Sequence, residues 1–380
     1  MREGWQIRKL GDVCSVRRDS SIHTGMNYVG LEHISSGNGV LVSLADTSGV
    51  IGTTNLFNAG DVLYGKLRPY LKKVIVADCD GCCSTEILPI RCNGVILPDF
   101  LKYWFLEDGI TDKINATCGG CRMPRANMKD VFQFAFAFPS LPEQQRIVDI
   151  LDQEFAKIDA LKANAEKSLQ AAKDLFQATL KKELEPKEGW KTQMIGQICI
   201  IKSGNSNANN SPSGSLPFVK VGDMNIEGNE VFITCSSRYV DYESNKKGVF
   251  PVGSVIFPKR GGAILTNKKR LTATEICCDL NIMGVFPKYD ILTPEYLFAF
   301  FQGVDMASIY DGAAIPQINN GDISPLRISF PNVQTQKCIV SRLEDLNDKS
   351  ITLQQNYQKT LTLCDDLKQS LLRKAFIGEL

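Results

Sequence analysis

Histidine and long apolar runs are both scarce in this sequence of 380 residues. The longest apolar run, residues 131–138, is interrupted by Gln133 and is too short to cross a bilayer. The opening residues, MREGWQIRKLGDV, contain no apolar segment of the kind that signals secretion. We therefore expect a cytoplasmic protein that has no membrane association.

Recognisable catalytic motifs are also missing. The two histidines, His23 and His33, lie near the start of the chain, and the sequence contains no HExxH, no GxSxG and no Asn-Pro-Pro-aromatic signature of an amino-methyltransferase. An enzyme built from duplicated halves would be expected to repeat its acid and base residues, and the second half has no histidine. We predict a chain that is not itself catalytic and that takes no cofactor.

The cysteines give little sign of either disulfides or metal. There are 13, an odd number that includes the adjacent pairs Cys82-Cys83 and Cys277-Cys278, which is typical of reduced thiols. Two CxxC pairs, Cys79 with Cys82 and Cys118 with Cys121, have the local spacing of zinc ligands. The two pairs lie further apart than in a zinc ribbon and have no equivalent in the second half. We predict no metal site, and a zinc-dependent enzyme ranks third among the possible functions.

A long stretch of the sequence occurs twice. Residues 139–182 and 331–374 align without a gap, so that Pro139 matches Pro331, Gln144 matches Gln336 and Lys182 matches Lys374. A repeat of this length determines the architecture of the chain.

Both copies show a heptad pattern, in which seam residues recur at intervals of four and three along one face of a helix. Roughly forty helical residues at 1.5 Å each make a rod of about 60 Å, and a rod with so many small or polar seam positions needs a partner helix. The other copy is the best partner; two long helices of an ordinary helical core are the alternative. The predicted seam consists of Ile147, Leu151, Ile158, Leu161 and Leu175 in the first copy and of Ile339, Leu343, Leu346, Leu353, Tyr357, Leu367 and Leu371 in the second.

The repeat extends beyond the helix. GWQIRKLGDVC at the start recurs as GWKTQMIGQIC from Gly189, and Pro186 between the halves cannot continue a helix. The repeating unit is therefore a globular region followed by a helix. We predict globular regions at 1–138 and 186–330 and long helices at 139–185 and 331–380.

Short strands dominate the predicted globular regions. Residues rich in β-branched and aromatic side chains predict strands at 28–34, 60–67 and 73–78 in the first region and at 218–224, 253–260 and 277–286 in the second. Pro98 and Pro294 occupy matched positions and each predicts the first turn of a short helix.

Basic residues are clustered although the net charge is only +1. No acidic residue lies between Lys246 and Arg270, and the clusters recur at equivalent places. Phosphate contacts need such cations, and Arg, Lys, Gln and Asn can read base edges in the major groove, although a solvated surface is the simpler explanation for any single residue. The candidate DNA-binding residues are Lys66, Arg68, Lys72, Lys73, Arg122, Arg125, Asn127, Lys259, Arg260, Lys268, Lys269, Arg270, Gln317 and Asn319.

The layout and two short motifs resemble a known family. Two divergent globular regions alternating with two similar heptad helices, the PSLPEQQRIV start of the first helix and the terminal RKAFIGEL resemble the specificity (S) subunit of type I restriction-modification systems. The second helix departs from the pattern, because Thr335 and Lys337 replace Glu143 and Gln145.

The resemblance implies both a fold and a function. It implies an α+β protein in which two mixed α/β target recognition domains with short strands are joined by two long antiparallel coiled-coil helices in a pseudo-two-fold repeat. Each domain would read one half of a split site in double-stranded DNA. The helices would dock modification methyltransferase subunits, two of them, which in turn recruit the restriction translocase and nuclease subunits. The competing hypothesis is a coiled-coil protein-binding adaptor that has no DNA role.

Overall fold

The structure is a computed structural model that describes residues 4–120, 122–205, 214–288, 290–310 and 316–380. It divides into two compact units. Unit 1 consists of Met1–Lys167 and Tyr357–Leu380, and unit 2 is Ser168–Asn356. Each unit therefore combines one globular region with a stretch of both long helices. Within the described part of the chain, no helix is both long enough and apolar enough to cross a membrane.

The globular region of unit 1 is built from short strands and four short helices. Its strands are β1 (Gln6–Lys9), β2 (Cys14–Val16), β3 (Ser20–Ser21), β4 (Asn27–Val29), β5 (Ala45–Asp46), β6 (Thr54–Phe57), β7 (Val62–Gly65), β8 (Val74–Val76), β9 (Gly81–Ser84), β10 (Ile87–Cys92) and β11 (Ala135–Phe138). Its helices are α1 (Leu10–Val13), α2 (Pro98–Leu106), α3 (Asp108–Ala116) and α4 (Met128–Val131). The sheets have the strand orders β1-β11, β2-β10-β7-β8 and β3-β6-β9-β4-β5.

The first long helix, α5 (Leu141–Leu184), leads into a second region of the same type. Its strands are β12 (Lys191–Met194), β13 (Cys199–Ser203), β14 (Leu216–Val219), β15 (Phe232–Ile233), β16 (Tyr239–Val240), β17 (Val249–Phe250), β18 (Val255–Pro258), β19 (Arg270–Thr272), β20 (Ile276–Cys278), β21 (Ile282–Pro287) and β22 (Arg327–Phe330). Its helices are α6 (Ile195–Ile198), α7 (Tyr242–Asn245), α8 (Pro294–Gln302) and α9 (Asn320–Ile323), followed by the second long helix, α10 (Val333–Ile377). The sheet orders are β12-β22, β13-β21-β18-β19-β15 and β16-β14-β20-β17.

The two globular regions close in the same way. The first strand of each pairs antiparallel with the last, β1 with β11 and β12 with β22, which brings the repeated Gly-Trp segment beside the start of the long helix. In each, the short helix that begins at the matched proline packs on a central strand. Tyr64 of β7 stacks on Phe105 of α2 with 4.4 Å between ring centroids, and Phe257 of β18 lies 5.6 Å from Phe301 of α8. Matched aromatic pairs therefore hold matched strands in the two cores.

All six predicted strands are shorter than expected, and turns interrupt three of them. β4 and β14 each give way to a 3-10 turn, Leu31–His33 and Val221–Asn225, and residues 277–286 divide into β20 and β21. Side chains that bond the backbone cause the second and third breaks. The Asp223 carboxylate accepts from the Lys220 N–H at 2.7 Å, and the Asp279 carboxylate accepts from the Asn281 N–H at 2.9 Å. Such local bonds compete with the strand ladder.

The long helices run antiparallel in both units. In unit 1, Lys162 Nζ lies 2.7 Å from Asp365 Oδ1, and Lys368 pairs with Asp159. In unit 2, Arg342 Nη2 lies 2.8 Å from Glu183 Oε2, and the Ser350 hydroxyl donates to the Ala172 carbonyl at 3.1 Å. In both units the partner's number falls along α10 as the number rises along α5. This confirms the expected antiparallel coiled coil.

The seam between the helices differs in part from the predicted one. Ile147, Leu151, Ile158, Ile339 and Leu343 are buried, and Leu346, Tyr357 and Leu371 are half-buried. Four predicted members, Leu161, Leu175, Leu353 and Leu367, are instead exposed, so their assignment to the seam was wrong. The residues that follow them, Lys162, Phe176, Gln354 and Lys368, are buried or half-buried.

Lys368 shows why the prediction missed these positions. Its side chain is almost fully buried, with Nζ 4.8 Å from the centroid of the Phe155 ring and paired with Asp159. A lysine can cover apolar surface with its stem while its ammonium group finds a polar partner. A search for leucine at seam positions passes over such residues.

A matched glutamine fastens each long helix to its globular region. The buried Gln144 side chain donates to the carbonyls of Val95 and Pro139, both at 2.9 Å, and accepts from the Leu97 N–H at 2.9 Å. Gln336 makes the same three bonds, to Ile291 and Pro331 at 2.8 Å and from Thr293 at 2.9 Å. The repeat had aligned these two residues, and their bonds explain why the amide recurs.

Candidate nucleic-acid interface

The connection between β7 and β8 forms a basic turn, residues 66–73, that adjoins a distant loop. The Ala126 N–H donates to the Lys66 carbonyl at 2.9 Å, and the Arg68 N–H donates to the Pro124 carbonyl at 2.8 Å. Leu67 and Arg125 form the bridge between these two bonds. Two predicted basic stretches far apart in sequence therefore lie side by side.

Unit 2 has the same arrangement in its own basic turn, residues 259–269, between β18 and β19. The Ile318 N–H donates to the Lys259 carbonyl at 2.9 Å, the Gly261 N–H donates to the Pro316 carbonyl at 2.8 Å, and Arg260 bridges to Gln317. Each bond corresponds to one in unit 1. The structure thus assembles the same ladder twice from sequences with little in common.

Residues of both basic turns adopt the left-handed backbone conformation, which is strained for the arginine and lysine of unit 1 and easier for the asparagine of unit 2. Among the residues described, three other than glycine have a positive φ, namely Arg68 at 52°, Lys72 at 49° and Asn267 at 53°. Arg68 and Lys72 flank the 3-10 turn Pro69–Leu71, and Asn267 ends the 3-10 helix Gly261–Thr266. Side chains with a Cβ rarely adopt this conformation, and where it persists the surroundings must enforce it.

Lysines of the basic turns make hydrogen bonds that help to hold Lys72 and Asn267 in the left-handed conformation. In unit 1, Lys72 Nζ donates to the carbonyl of Leu106, the last residue of α2, at 3.0 Å and pairs with Asp108. In unit 2, the nearly fully buried Lys269 donates to the Val304 carbonyl just beyond α8 at 2.6 Å and to Asn267 Oδ1 at 2.7 Å. A cation at the C-terminal end of a helix satisfies carbonyls that have no partner within the helix.

Several predicted DNA-binding cations are therefore used inside the fold. Lys73 Nζ donates to the carbonyls of Leu31 and Ile34 at 2.6 and 2.8 Å. Arg270 donates to the carbonyls of Lys269 and Met224 at 2.8 and 3.1 Å, and burial lowers its pKa. Lys269 is buried, and Lys72, Lys73 and Arg270 are half-buried with their charged groups bonded to backbone carbonyls, which corrects their prediction as free surface cations.

Two further lysines are partly engaged. Lys259 Nζ donates to the Ser203 hydroxyl at 2.9 Å, and burial lowers the pKa of this lysine. Lys268 bonds to the Asn225 side chain. Lys66 is half-buried at the end of β7.

The other predicted residues present their side chains at the surface or beside it. Arg68, Arg122, Arg125, Asn127, Arg260 and Asn319 are exposed, and Gln317 is half-buried. Arg125 pairs with Glu86 at 2.8 Å. Asn127 caps α4 by accepting from the Lys129 N–H at 3.2 Å, and Asn319 precedes α9 and accepts from Gln317 Nε2 at 2.8 Å. The matched loops thus carry an arginine and an asparagine in unit 1 and a glutamine and an asparagine in unit 2.

A cleft in unit 1 that is lined by three arginines was missed by the sequence analysis. Arg17, Arg18 and Arg91 line this cleft of about 540 Å³ together with Asp19 and Asp80. The buried Asp61 carboxylate accepts from Arg17 and from the Asn58 N–H, which fixes the guanidinium. The sequence could not predict this cleft, because Arg17 and Arg91 lie far apart in the chain and come together only through the pairing of β2 with β10.

The candidate zinc ligands form no cluster in the part of the chain that the structure describes. No group of three or more His, Cys, Asp or Glu side chains is placed there to share a metal ion. Cys79 accepts a bond from Asn27 at 3.4 Å, Cys82 is buried in β9, and Cys121 lies outside the described residues.

Comparison with known proteins identifies the family. The type I restriction modification DNA specificity domain matches residues 2–171 and again residues 187–363. The type I restriction enzyme EcoDI specificity subunit of Escherichia coli is 35% identical over 134 residues, an alignment that spans 35% of this chain and only 30% of that subunit. The EcoKI specificity subunit of Escherichia coli strain K12 is 22% identical over 338 residues, 79% of this chain and 72% of the relative.

A solved structure has the same fold. A chain from a study of complex assembly and conformational transition of the type I R-M system superposes with a TM-score of 0.85 at 22% identity, covering 100% of this chain and 99% of the other. Because the family domain matches both globular regions and reaches into both long helices, the chain belongs to the type I restriction modification DNA specificity family.

Proposed function

We propose that this chain is the DNA specificity subunit of a type I restriction-modification complex, and that its two units read the two halves of a split DNA site. The observation that supports this proposal is the basic turn and its loop, which are built twice with the same backbone bonds and different exposed side chains. The chain is the non-catalytic component, since its family supplies recognition.

In this proposal the exposed arginines contact the DNA phosphates. Arg68, Arg122 and Arg125 serve in unit 1, and Arg260 serves in unit 2, with Lys66, Lys259 and Lys268 beside them. Such contacts give affinity and register but carry no sequence information. Asn127, Gln317 and Asn319, on the adjoining loops, have the donor and acceptor pairs that read base edges in the major groove.

The partners follow from the long helices. Exposed leucines lie on the helix faces of both units, Leu161 and Leu367 in unit 1 and Leu175 and Leu353 in unit 2. We assign these faces to two modification methyltransferase subunits, and through them to the restriction translocase and nuclease subunits. The recognition domains in this proposal are 1–138 and 186–330, and the spacer helices are 139–185 and 331–380.

The cysteines support a cytoplasmic location. The described residues include 12 cysteines, all with free thiols, and several of them are buried in β-strands. Free thiols in this number persist in a reducing compartment. The DNA that such a complex reads lies in the same compartment.

The test is a methylation map. The chain is expressed with its modification subunit in a host that has no DNA methylation, and methylated adenines are located by long-read sequencing. The expected result is one motif made of two short specified parts separated by an unspecified gap. Methylation without a split motif, or none at all from a well-folded complex, overturns the proposal.

A salt series separates this function from that of an adaptor without a DNA role. Phosphate contacts release counterions, so the affinity for mixed duplexes should fall steeply as salt is raised. A gel-shift series that shows no binding at any salt concentration would favour the adaptor.

A further inference from the structure

Each basic turn presents one exposed apolar side chain among its cations. Tyr70 lies in the 3-10 turn Pro69–Leu71 and is 53% exposed. Leu265 lies in the 3-10 helix Gly261–Thr266 and is 60% exposed. Single exposed apolar residues are common on protein surfaces, so exposure alone says nothing about function.

The backbone around Tyr70 and Leu265 distinguishes them from other exposed apolar residues. All three non-glycine residues with positive φ in the described chain flank these two segments. The left-handed conformation is unfavourable for side chains such as those of Arg68 and Lys72, and residues held in it concentrate at ligand clamps. A connection that only joined two strands could place glycine at these positions at no such cost.

The segments are also held on both sides. The ladder to residues 124–126 or 316–318 fixes the first part of each turn, and the lysine bonded to the end of α2 or just beyond α8 fixes the second. In unit 2 Asn267 also accepts from the Met306 N–H at 2.9 Å. Tyr70 and Leu265 therefore project from a rigid support rather than from a loose loop.

We propose that Tyr70 and Leu265 are specificity-determining residues, each making apolar contact with one base of the half-site that its unit reads. This inference rests on the proposed function and deepens it. The 5-methyl group of thymine offers such a contact in the major groove and distinguishes an A·T pair from the others. The neighbouring Arg68 and Arg260 hold the phosphate backbone, so the apolar side chain reaches a base and not solvent.

The experiment applies the methylation map to single variants. Tyr70→Ala is expected to relax one position of one half-site about tenfold and to leave the other half-site unchanged. Leu265→Ala is expected to relax one position of the opposite half-site. Tyr70→Phe keeps the ring and should keep the motif.

Matched controls exclude a general effect of losing surface apolar area. Ile51→Ala in unit 1 and Val252→Ala in unit 2 remove exposed apolar side chains that lie outside the basic turns, and both should leave the motif intact. Retention of the untouched half-site shows that each variant is folded and assembled.

Three results would overturn the inference: an unchanged motif in both alanine variants, relaxation of the same half-site by both, or a uniform loss of methylation with the motif intact. These results can be told apart from a failure of the proposed function. If the proposed function were wrong, the wild-type chain itself would give no split motif in the same experiment.

Discussion

Replacing Gln144 by leucine should destabilise unit 1 while leaving unit 2 intact. The leucine fills a similar volume but removes one acceptor and two donor hydrogens, so the Leu97 N–H and the carbonyls of Val95 and Pro139 lose their partner. Each buried backbone group left unsatisfied costs about 1–3 kcal/mol. Because the carbonyls can recruit water at the helix start, we expect a total loss on the order of 4 kcal/mol.

Hydrogen exchange measured by mass spectrometry resolves the two units separately. A loss of this size corresponds to about a thousandfold faster exchange of protected amides in residues 95–97 and in the first turns of α5, since every 1.4 kcal/mol is a factor of ten. Gln336→Leu should have the same effect on residues 291–293 and on the start of α10, because its three bonds are equivalent.

The neighbouring glutamines provide controls of the same chemistry. Gln145 and Gln334 are exposed, and replacing either by leucine should change stability by less than about 0.5 kcal/mol. Equal protection in Gln144→Leu and Gln145→Leu would refute the assignment of Gln144 as the fastening residue. A loss of protection that spread equally through both units would refute the independence of the two fastenings.

Two further predictions concern the lysines and arginines of the basic turns. Arg68→Ala and Arg260→Ala should each lower the salt dependence of DNA affinity by about one phosphate contact. Lys72→Ala should leave the salt dependence unchanged and reduce thermal stability, because Lys72 bonds to Leu106. Binding titrations of the assembled complex over a salt series test this prediction, and equal slopes for all three variants would contradict it. Burial lowers the pKa of Lys269 to about 8 from an ordinary 10.5, with Asp305 opposing the shift. Between these pH values the unfolded chain binds a proton that the folded unit does not, so the free energy of unfolding should increase as the pH rises. Urea unfolding of Lys269→Met should not show this increase. Parallel pH profiles for the variant and the wild type would contradict the prediction.

The parts of the fold that were predicted correctly depend on local signals. Pro98 and Pro294 begin α2 and α8, and α5 ends at Leu184, just before Pro186. Proline acts through its own ring on its own backbone, so its effect does not depend on the rest of the chain. The gap-free alignment of residues 139–182 with 331–374 likewise identified both long helices before any contact was known.

The features that could not be predicted depend on where the charged end of a long side chain lies in the folded protein. Lys72, Lys73 and Lys269 stand in basic clusters that looked like surface charge, yet their ammonium groups reach backbone carbonyls inside the fold. For the same reason, Lys368 was not predicted as a residue of the helix seam, although it is buried there. Lysine combines a long apolar stem with a terminal charge, and only the tertiary structure decides which part is covered.

The distribution of shared and divergent residues between the units argues for two different half-sites. Interior contacts are repeated, as in the stack of Tyr64 on Phe105 and of Phe257 on Phe301. At two of the ladder positions the residues differ: Arg68 corresponds to Gly261, and Arg125 to Gln317. If the units had only a structural role, their equivalent backbone bonds would not require these side chains to differ. If each unit reads its own bases, different side chains on the same support are the direct requirement, because guanidinium and amide groups favour different base edges. The split site that this chain reads should therefore be asymmetric, with unlike sequences on the two sides of its gap.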